Sequence, residues 1–322
     1  MASAAKPIDI VYTWVDDSFP GYLEVLNRYV ADKRDTNPNR TRDNLDIIRY
    51  SMRSVAKNLP GIRKIYFVSC RPQVPAWLNP DHPQIELVHH DRIMDAAILP
   101  TFNSFSIVSH LHLLPDLSRQ FIYFEDDMLA MSPALMDAMF APDGRPMVHC
   151  TPKRVVPRAR LNPKTSSPWN LSLANADAAL SQRFGPGPRR HVIHGPQVMD
   201  VEVCKAMCRE FADLIEATRA SRFRGGNNAP PEFLVRHLAL ETDAAVRADW
   251  ALSQKLDGYV SLENFAPWTW WQLMQVERRQ PFSIILNDSF SDTPNPRVEA
   301  MVRARLHRWF PDPAPWERPG TA

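Results

Sequence analysis

Three consecutive carboxylates, Glu125, Asp126 and Asp127, close the apolar run Phe121-Ile122-Tyr123-Phe124, which reads as a buried strand. Like charges packed this closely repel one another unless a cation neutralises them, and the carboxyl ends of strands are where open α/β sheets bind ligands. A divalent cation carrying a phosphorylated substrate fits that pattern, and hard oxygen donors favour Mg²⁺ or Mn²⁺. Taken alone, the segment would look the same as a solvated acidic turn after a strand. Two other apolar runs end on acids in the same way: Ile8 to Val15 stops at Asp16-Asp17, and Phe282 to Leu286 runs into Asn287-Asp288.

Positioning such groups requires a sheet. The run from Ile8 is the first strand, and a helix from Arg42 to Asn58 places Leu45, Ile48, Met52 and Val55 on one face before Pro60-Gly61 stops it. Strands at Lys64 to Ser69 and Ile85 to Val88, a helix from Asn103 to Leu114 and the Phe121 strand follow. This alternation predicts βαβ units: an α/β fold with a Rossmann-like, mostly parallel sheet flanked by helices. No GxGxxG or Walker motif follows the first strand, which argues against a dinucleotide-binding or P-loop enzyme and for a nucleotide held by carboxylates, arginines and a metal.

From Pro142 to Pro196 the chain turns rich in proline and arginine, reading as ordered loops around one short helix at Ala174 to Gln182. Arg189 and Arg190 in this region can clamp a diphosphate, because guanidinium pairs bidentately with phosphate oxygens; a solvated basic surface is the competing reading. The rest reads as largely helical, with helices at Val201 to Ser221, Pro231 to Leu240 and Val298 to Phe310. The last is basic and amphipathic, suited either to docking on the domain or to an anionic membrane surface. Residues 1–7 form a flexible start. Residues 8–310 form one catalytic domain, with 8–141 as a nucleotide-sugar-binding half and 142–310 completing the site, and 311–322 form a frayed proline-rich tail.

The 322 residues carry 38 basic and 36 acidic side chains, a balance that speaks against recognition of nucleic acid by bulk charge. Thirty prolines against ten glycines imply rigid, ordered loops. The start lacks an apolar signal-peptide core and no stretch is long enough to span a membrane, so a cytoplasmic protein is expected. Cys70, Cys150, Cys204 and Cys208 form no CxxC pair and read as reduced thiols.

Ile8-Asp9-Ile10-Val11-Tyr12-Thr13-Trp14-Val15-Asp16, Arg42-Asp43-Asn44, Arg49-Tyr50-Ser51-Met52-Arg53-Ser54, Pro60-Gly61-Ile62-Arg63, Leu99-Pro100-Thr101-Phe102-Asn103-Ser104 and Glu125-Asp126-Asp127-Met128 occur in an order and spacing that together resemble the Stealth family. His194-Gly195-Pro196 and Leu286-Asn287-Asp288 resemble its third and fourth conserved regions. The resemblance implies a glycosyltransferase-A-like fold. It also implies transfer of hexose-1-phosphate, for example N-acetylglucosamine-1-phosphate, from a UDP-sugar to an acceptor hydroxyl, forming a phosphodiester and releasing UMP. Bacterial members build capsule or exopolysaccharide polymers, and an animal relative is the lysosomal-enzyme N-acetylglucosamine-1-phosphotransferase. This chain departs from the family's usual Asn-Asp-Asp at Glu125-Asp126-Asp127 and from its His-x-Pro-His at His194-Gly195-Pro196-Gln197.

Phosphoryl transfer needs positioning, charge neutralisation and a proton acceptor. Asp126, Asp127 and Asp288 are the expected metal and diphosphate ligands, with Glu125 in support. His194 is the expected general base, with Asp127 as the alternative base should His194 bind phosphate instead. Arg224 matches a family arginine. Asp16, Asp17, Arg42, Asp43, Asn44, Arg49, Asn103, Ser104, Arg189 and Arg190 are expected to bind substrate, although several of these positions suit helix caps equally well. The expected partners are a UDP-sugar donor and a saccharide or polysaccharide acceptor, at the inner face of the cell membrane. A glycosyltransferase passing only the sugar and a noncatalytic carbohydrate- or partner-binding protein are the competing readings.

Overall fold

The computed structural model describes residues 7–30, 45–290 and 293–320. In its first half the chain runs through β1 (Asp9–Trp14), α1 (Tyr22–Asn27), α2 (Ile47–Asn58), β2 (Ile65–Ser69), β3 (Ile85–His89), α3 (Ser104–Val108), β4 (Gln120–Glu125), β5 (Met128–Ala130) and α4 (Ala134–Met139). The middle holds β6 (Met147–Val148), β7 (Cys150–Arg154), α5 (Pro168–Phe184), β8 (Arg190–Val192), β9 (Gln197–Asp200), α6 (Val201–Glu210) and α7 (Ala212–Ala220). It closes with α8 (Pro231–Glu241), β10 (Val246–Arg247), α9 (Trp250–Leu256), β11 (Tyr259–Leu262), α10 (Ala266–Arg279), β12 (Ser283–Asp288) and α11 (Pro296–Trp309).

The expected α/β architecture is the one the chain adopts. The main sheet has the order β3-β2-β1-β4-β9, parallel except for β9. Successive side chains of a strand point to opposite faces, and this alternation divides the core into two layers. Val11, Tyr66, Phe121 and Tyr123 pack against α5, α6, α7 and α8, whereas Ile10, Tyr12, Phe67, Ile122 and Phe124 pack against α2 and α4. A second sheet, β11-β12-β5, forms a third core with α10 and α11.

Several elements differ from expectation. Helix α3 ends at Val108 and gives way to a short 3₁₀ turn at Leu111–Leu113. The short helix expected in the proline-rich stretch is the 17-residue α5, started by the Ser167 cap and Pro168. The expected Val201 to Ser221 helix is two helices broken at Phe211, whose φ of −122° and ψ of 38° leave the helical range. The apolar stripe of α11, Val298, Val302 and Leu306, is fully buried, so it docks on the domain and leaves no apolar face for a membrane. No helix among the described residues is long and apolar enough to cross one. All four cysteines are unpaired.

Residues 311–320, expected to be frayed, are held against the domain. Ala314 and Trp316 are buried, and Glu317 reaches back to α2, where its carboxylate accepts hydrogen bonds from Arg49 at 2.7 Å and from Arg53 at 2.8 Å. All three side chains are almost sealed from solvent. Buried ions of this kind are costly to leave unpaired. Glu317→Ala is therefore expected to destabilise the protein by roughly 3–5 kcal/mol, read by denaturant unfolding; a change below about 1 kcal/mol would show that the triad does not hold the tail to α2.

Candidate active site

The main sheet builds outward from β1 to β2 to β3, after which the chain returns past β1 to form β4. Strand order therefore reverses between β1 and β4, and the crevice beyond their carboxyl ends is where open α/β sheets bind ligands. Glu125 closes β4 there, in register with Thr13 of β1. The next strand, β5, leaves the main sheet and pairs antiparallel with β12, so the Asp126-Asp127 turn lies at the junction of the two sheets. The Leu286 amide on β12 donates to the Asp127 carbonyl at 2.9 Å and fixes that turn.

Strand β9 delivers the histidine. It runs antiparallel to β4 with Gln197 opposite Tyr123, so the residues just before Gln197 pass the acidic end of β4. His194 Nε2 lies 3.4 Å from Asp127 Oδ2, and Nδ1 lies 4.0 Å from Glu125 Oε1. One ligand atom from each of Glu125, Asp127 and His194 falls within 4.8 Å of the others, the convergence a metal site requires. Asp127 Oδ1 is buried and accepts no hydrogen bond. A sealed carboxylate oxygen without a donor is a place for a cation, and two carboxylates with an imidazole form a donor set able to hold a divalent metal ion.

The charges are strongly coupled. Burial by itself would lower the His194 pKa, but the Glu125 and Asp127 carboxylates outweigh it and hold the imidazole at about 9. Burial raises the Glu125 pKa, with His194 opposing the rise and Asp127 adding to it. On α8, burial and the nearby Glu125 charge push Glu232 up to about 6. Glu232 Oε2 and Arg236 Nε, one helical turn apart on α8, are both buried without a hydrogen-bond partner. The sequence offers no signal for Glu232, which follows Pro230-Pro231 as an ordinary first-turn acid.

The structure sorts the other expected residues. Asp126 and Asp288 are not in the convergent group, and Glu125, expected only in support, takes that place. Asp288 ends β12 in register with Leu262, and its Oδ1 accepts the Phe290 amide, because the strand carries it past the level of Asp127. Arg224 donates to Ser104 Oγ and lies over the Phe105 ring at 4.7 Å, and its charge acts on both Glu125 and Glu232. Asp16 and Asp17 follow β1; the Asp16 backbone is held at both N and O by the Gln73 amide, and Asp17 is buried.

Three of the residues expected to contact substrate, Asn103, Arg49 and Arg189, are held by the scaffold instead. Asn103 is fully buried, caps α3 and donates to the Thr218 and Ser221 carbonyls, so it locks α3 to α7. Arg49 is spent on Glu317. Arg189 is buried and donates to Ser181 at 2.8 Å, Glu241 at 2.8 Å and the Leu180 and Gly185 carbonyls, which makes it a clamp for the end of α5 and not for a diphosphate. Arg190 lies in β8 opposite Arg154 of β7. Arg42, Asp43 and Asn44 lie outside the described residues.

Two cavities frame the sheet. One of about 340 Å³ opens beyond the carboxyl ends of β1, β2 and β3, between Tyr22, Gln73, His90 and Phe102. The larger, about 680 Å³, lies at the opposite end of β4 beside Arg119, Gln120 and Asp200, and holds none of the acidic residues that follow β4.

Family models fit both halves of this geometry: Stealth protein conserved region 2 matches residues 40–148, which hold the acidic turn, and conserved region 3 matches residues 193–241, which hold His194, Arg224 and Glu232. The chain carries two conserved regions of the Stealth family. Among relatives of this chain, an exopolysaccharide phosphotransferase of Nocardia farcinica is 33% identical over 97% of the chain and 61% of its own length. The exopolysaccharide phosphotransferase CpsY of Mycobacterium leprae is 31% identical over 98% of the chain and 57% of its own length. The chain thus spans little more than half the length of these curated relatives. A solved galactosyltransferase, LgtC, with donor and acceptor sugar analogues, aligns over 94% of this chain and 95% of its own at 8% identity and a TM-score of 0.43.

Proposed function

We propose that this protein transfers hexose-1-phosphate from a UDP-sugar to the hydroxyl of a saccharide acceptor in exopolysaccharide or capsule synthesis. The observation that carries the reading is the meeting of Glu125, Asp127 and His194 at the strand-order reversal, from segments more than sixty residues apart. The names of the relatives, exopolysaccharide phosphotransferases, support the same reaction class. In that reaction the acceptor oxygen bonds to the sugar-bearing phosphorus, the bond from that phosphorus to the bridging oxygen breaks, and UMP leaves.

Glu125 and Asp127 would hold a divalent cation, with His194 beside them. Once bound, such a cation neutralises diphosphate charge. The cavity between Tyr22 and Phe102 gives the nucleotide a place beyond β1, and Arg224, fixed by Ser104, offers a guanidinium to phosphate oxygens. Two groups are placed to receive the acceptor proton, the His194 imidazole and the Asp127 carboxylate. A pKa near 9 favours Asp127 while the carboxylates are unscreened, because a protonated ring takes up no further proton. The reading places the enzyme at the inner face of the membrane.

The test is the nucleotide released. Incubation with Mg²⁺ or Mn²⁺, a UDP-sugar panel and saccharide acceptors should yield UMP and a phosphodiester product, and EDTA should lower the rate at least about a hundredfold. UDP release with a glycosidic product would assign the protein to sugar transfer alone.

A further inference from the structure

Helix α10 is buried on one side only, and the other side is aromatic. Thr269, Leu273 and Val276 are sealed into the third core, whereas Trp268, Trp270 and Trp271 are 41%, 49% and 46% exposed, and Phe265 just before the helix is 67% exposed. Trp268 and Trp271, one turn apart, stack with ring centroids 5.0 Å apart and planes 15° apart, so the crest is a defined surface. Each large aromatic left partly in water forgoes favourable burial of apolar surface. A contiguous exposed patch of this kind marks a surface that meets something apolar.

The charge around the crest says what. Helix α11 packs beside α10, and together the two carry six arginines against only Glu277 and Glu299, a surplus of four positive charges where the whole chain has a surplus of two. Glu277 is already held by Arg305, Arg308 and Trp309. Arg278, Arg279 and Arg297 are exposed. Indoles that sit at the level of lipid headgroups, ringed by arginines that meet lipid phosphates, are the pattern of an interfacial anchor on an anionic bilayer.

Orientation agrees. On β11, Val260 and Leu262 are buried with Leu273 and Val276 of α10, whereas the intervening strand geometry turns Tyr259 to the opposite face, where its ring meets that of His194 at 6.2 Å. A bilayer against α10 leaves the acidic site uncovered.

We propose that the α10 crest docks this protein on an anionic phospholipid bilayer, with Trp268, Trp270 and Trp271 entering the headgroup layer and the α10 and α11 arginines pairing with lipid phosphates. The proposal rests on the membrane-face reading given above and supplies its contact surface. Flotation of the full chain with vesicles of phosphatidylglycerol and phosphatidylethanolamine tests it without turnover, and UMP release without vesicles tests the chemistry separately. The wild type should float with these vesicles and not with phosphatidylcholine vesicles. Trp268→Ser with Trp271→Ser, and separately Arg278→Glu with Arg297→Glu, should each lower the bound fraction about tenfold, while vesicle-free UMP release stays at the wild-type rate. Absence of wild-type flotation, or full flotation of the tryptophan variant, would overturn the proposal. So would a wild-type dimer in light scattering that becomes monomeric in that variant, which would give the crest to a second copy.

Discussion

Asp127→Asn is expected to lower UMP release by roughly 10³-fold while leaving the fold in place. The substitution keeps the shape of the side chain and removes its charge. The Asp127 turn stays pinned through its backbone carbonyl to Leu286, which the side chain does not affect. Thermal unfolding should therefore shift by no more than about 1 kcal/mol. What is lost is the negative charge shared by the oxygen that is sealed without a donor and the one that faces His194 at 3.4 Å. A second readout follows from the coupling of the pair: with one of its two carboxylates neutral, the His194 pKa should fall from about 9 toward the ordinary histidine value, visible as a shifted imidazole titration in NMR. A well-folded variant turning over at half the wild-type rate would remove Asp127 from the chemistry.

His194→Asn carries the second large effect, a loss of about 10²–10⁴-fold in turnover, whether the ring takes the proton or binds phosphate. Its dependence on pH separates the site charge from the scaffold. Because the folded-state pKa of about 9 lies above the ordinary 6.5, the histidine binds its proton more tightly in the folded protein. In EDTA, its contribution to stability is fully present below pH 6.5 and is lost as pH rises through about 9. The stability gap between wild type and His194→Asn should therefore be widest in mild acid and close by about pH 9 to 10, read from denaturant unfolding across that range. A gap that stays constant with pH would mean that the ring is held by packing against Tyr259 and not by the two carboxylates.

Elements with a strong local period were legible in the sequence. The aromatic and β-branched runs of β1, β2 and β4, and the stripes of α2, α8 and α11, gave their type and rough limits, because each buries one face against a core that local spacing already implies. Helix α10 escaped notice because its tryptophans lie on the exposed side and blur the stripe that Thr269, Leu273 and Val276 form. The supposed tail escaped because its anchor is a carboxylate 268 residues from its first arginine.

The sequence by itself determined the kind of chemistry: acids at strand ends, a histidine in its own short motif and an arginine before Gly225-Gly226. Only the tertiary structure decided which of them meet. The register of β9 on β4 brings His194 to Glu125 and Asp127, the crossing of β5 to the second sheet leaves Asp288 outside that group, and long-range partners take Arg49, Asn103 and Arg189 for the scaffold. The reason is physical: residue type fixes which ligand or hydrogen bond a side chain is able to offer, but strand pairing and burial fix the partner within reach, and those are set by contacts far apart in the chain.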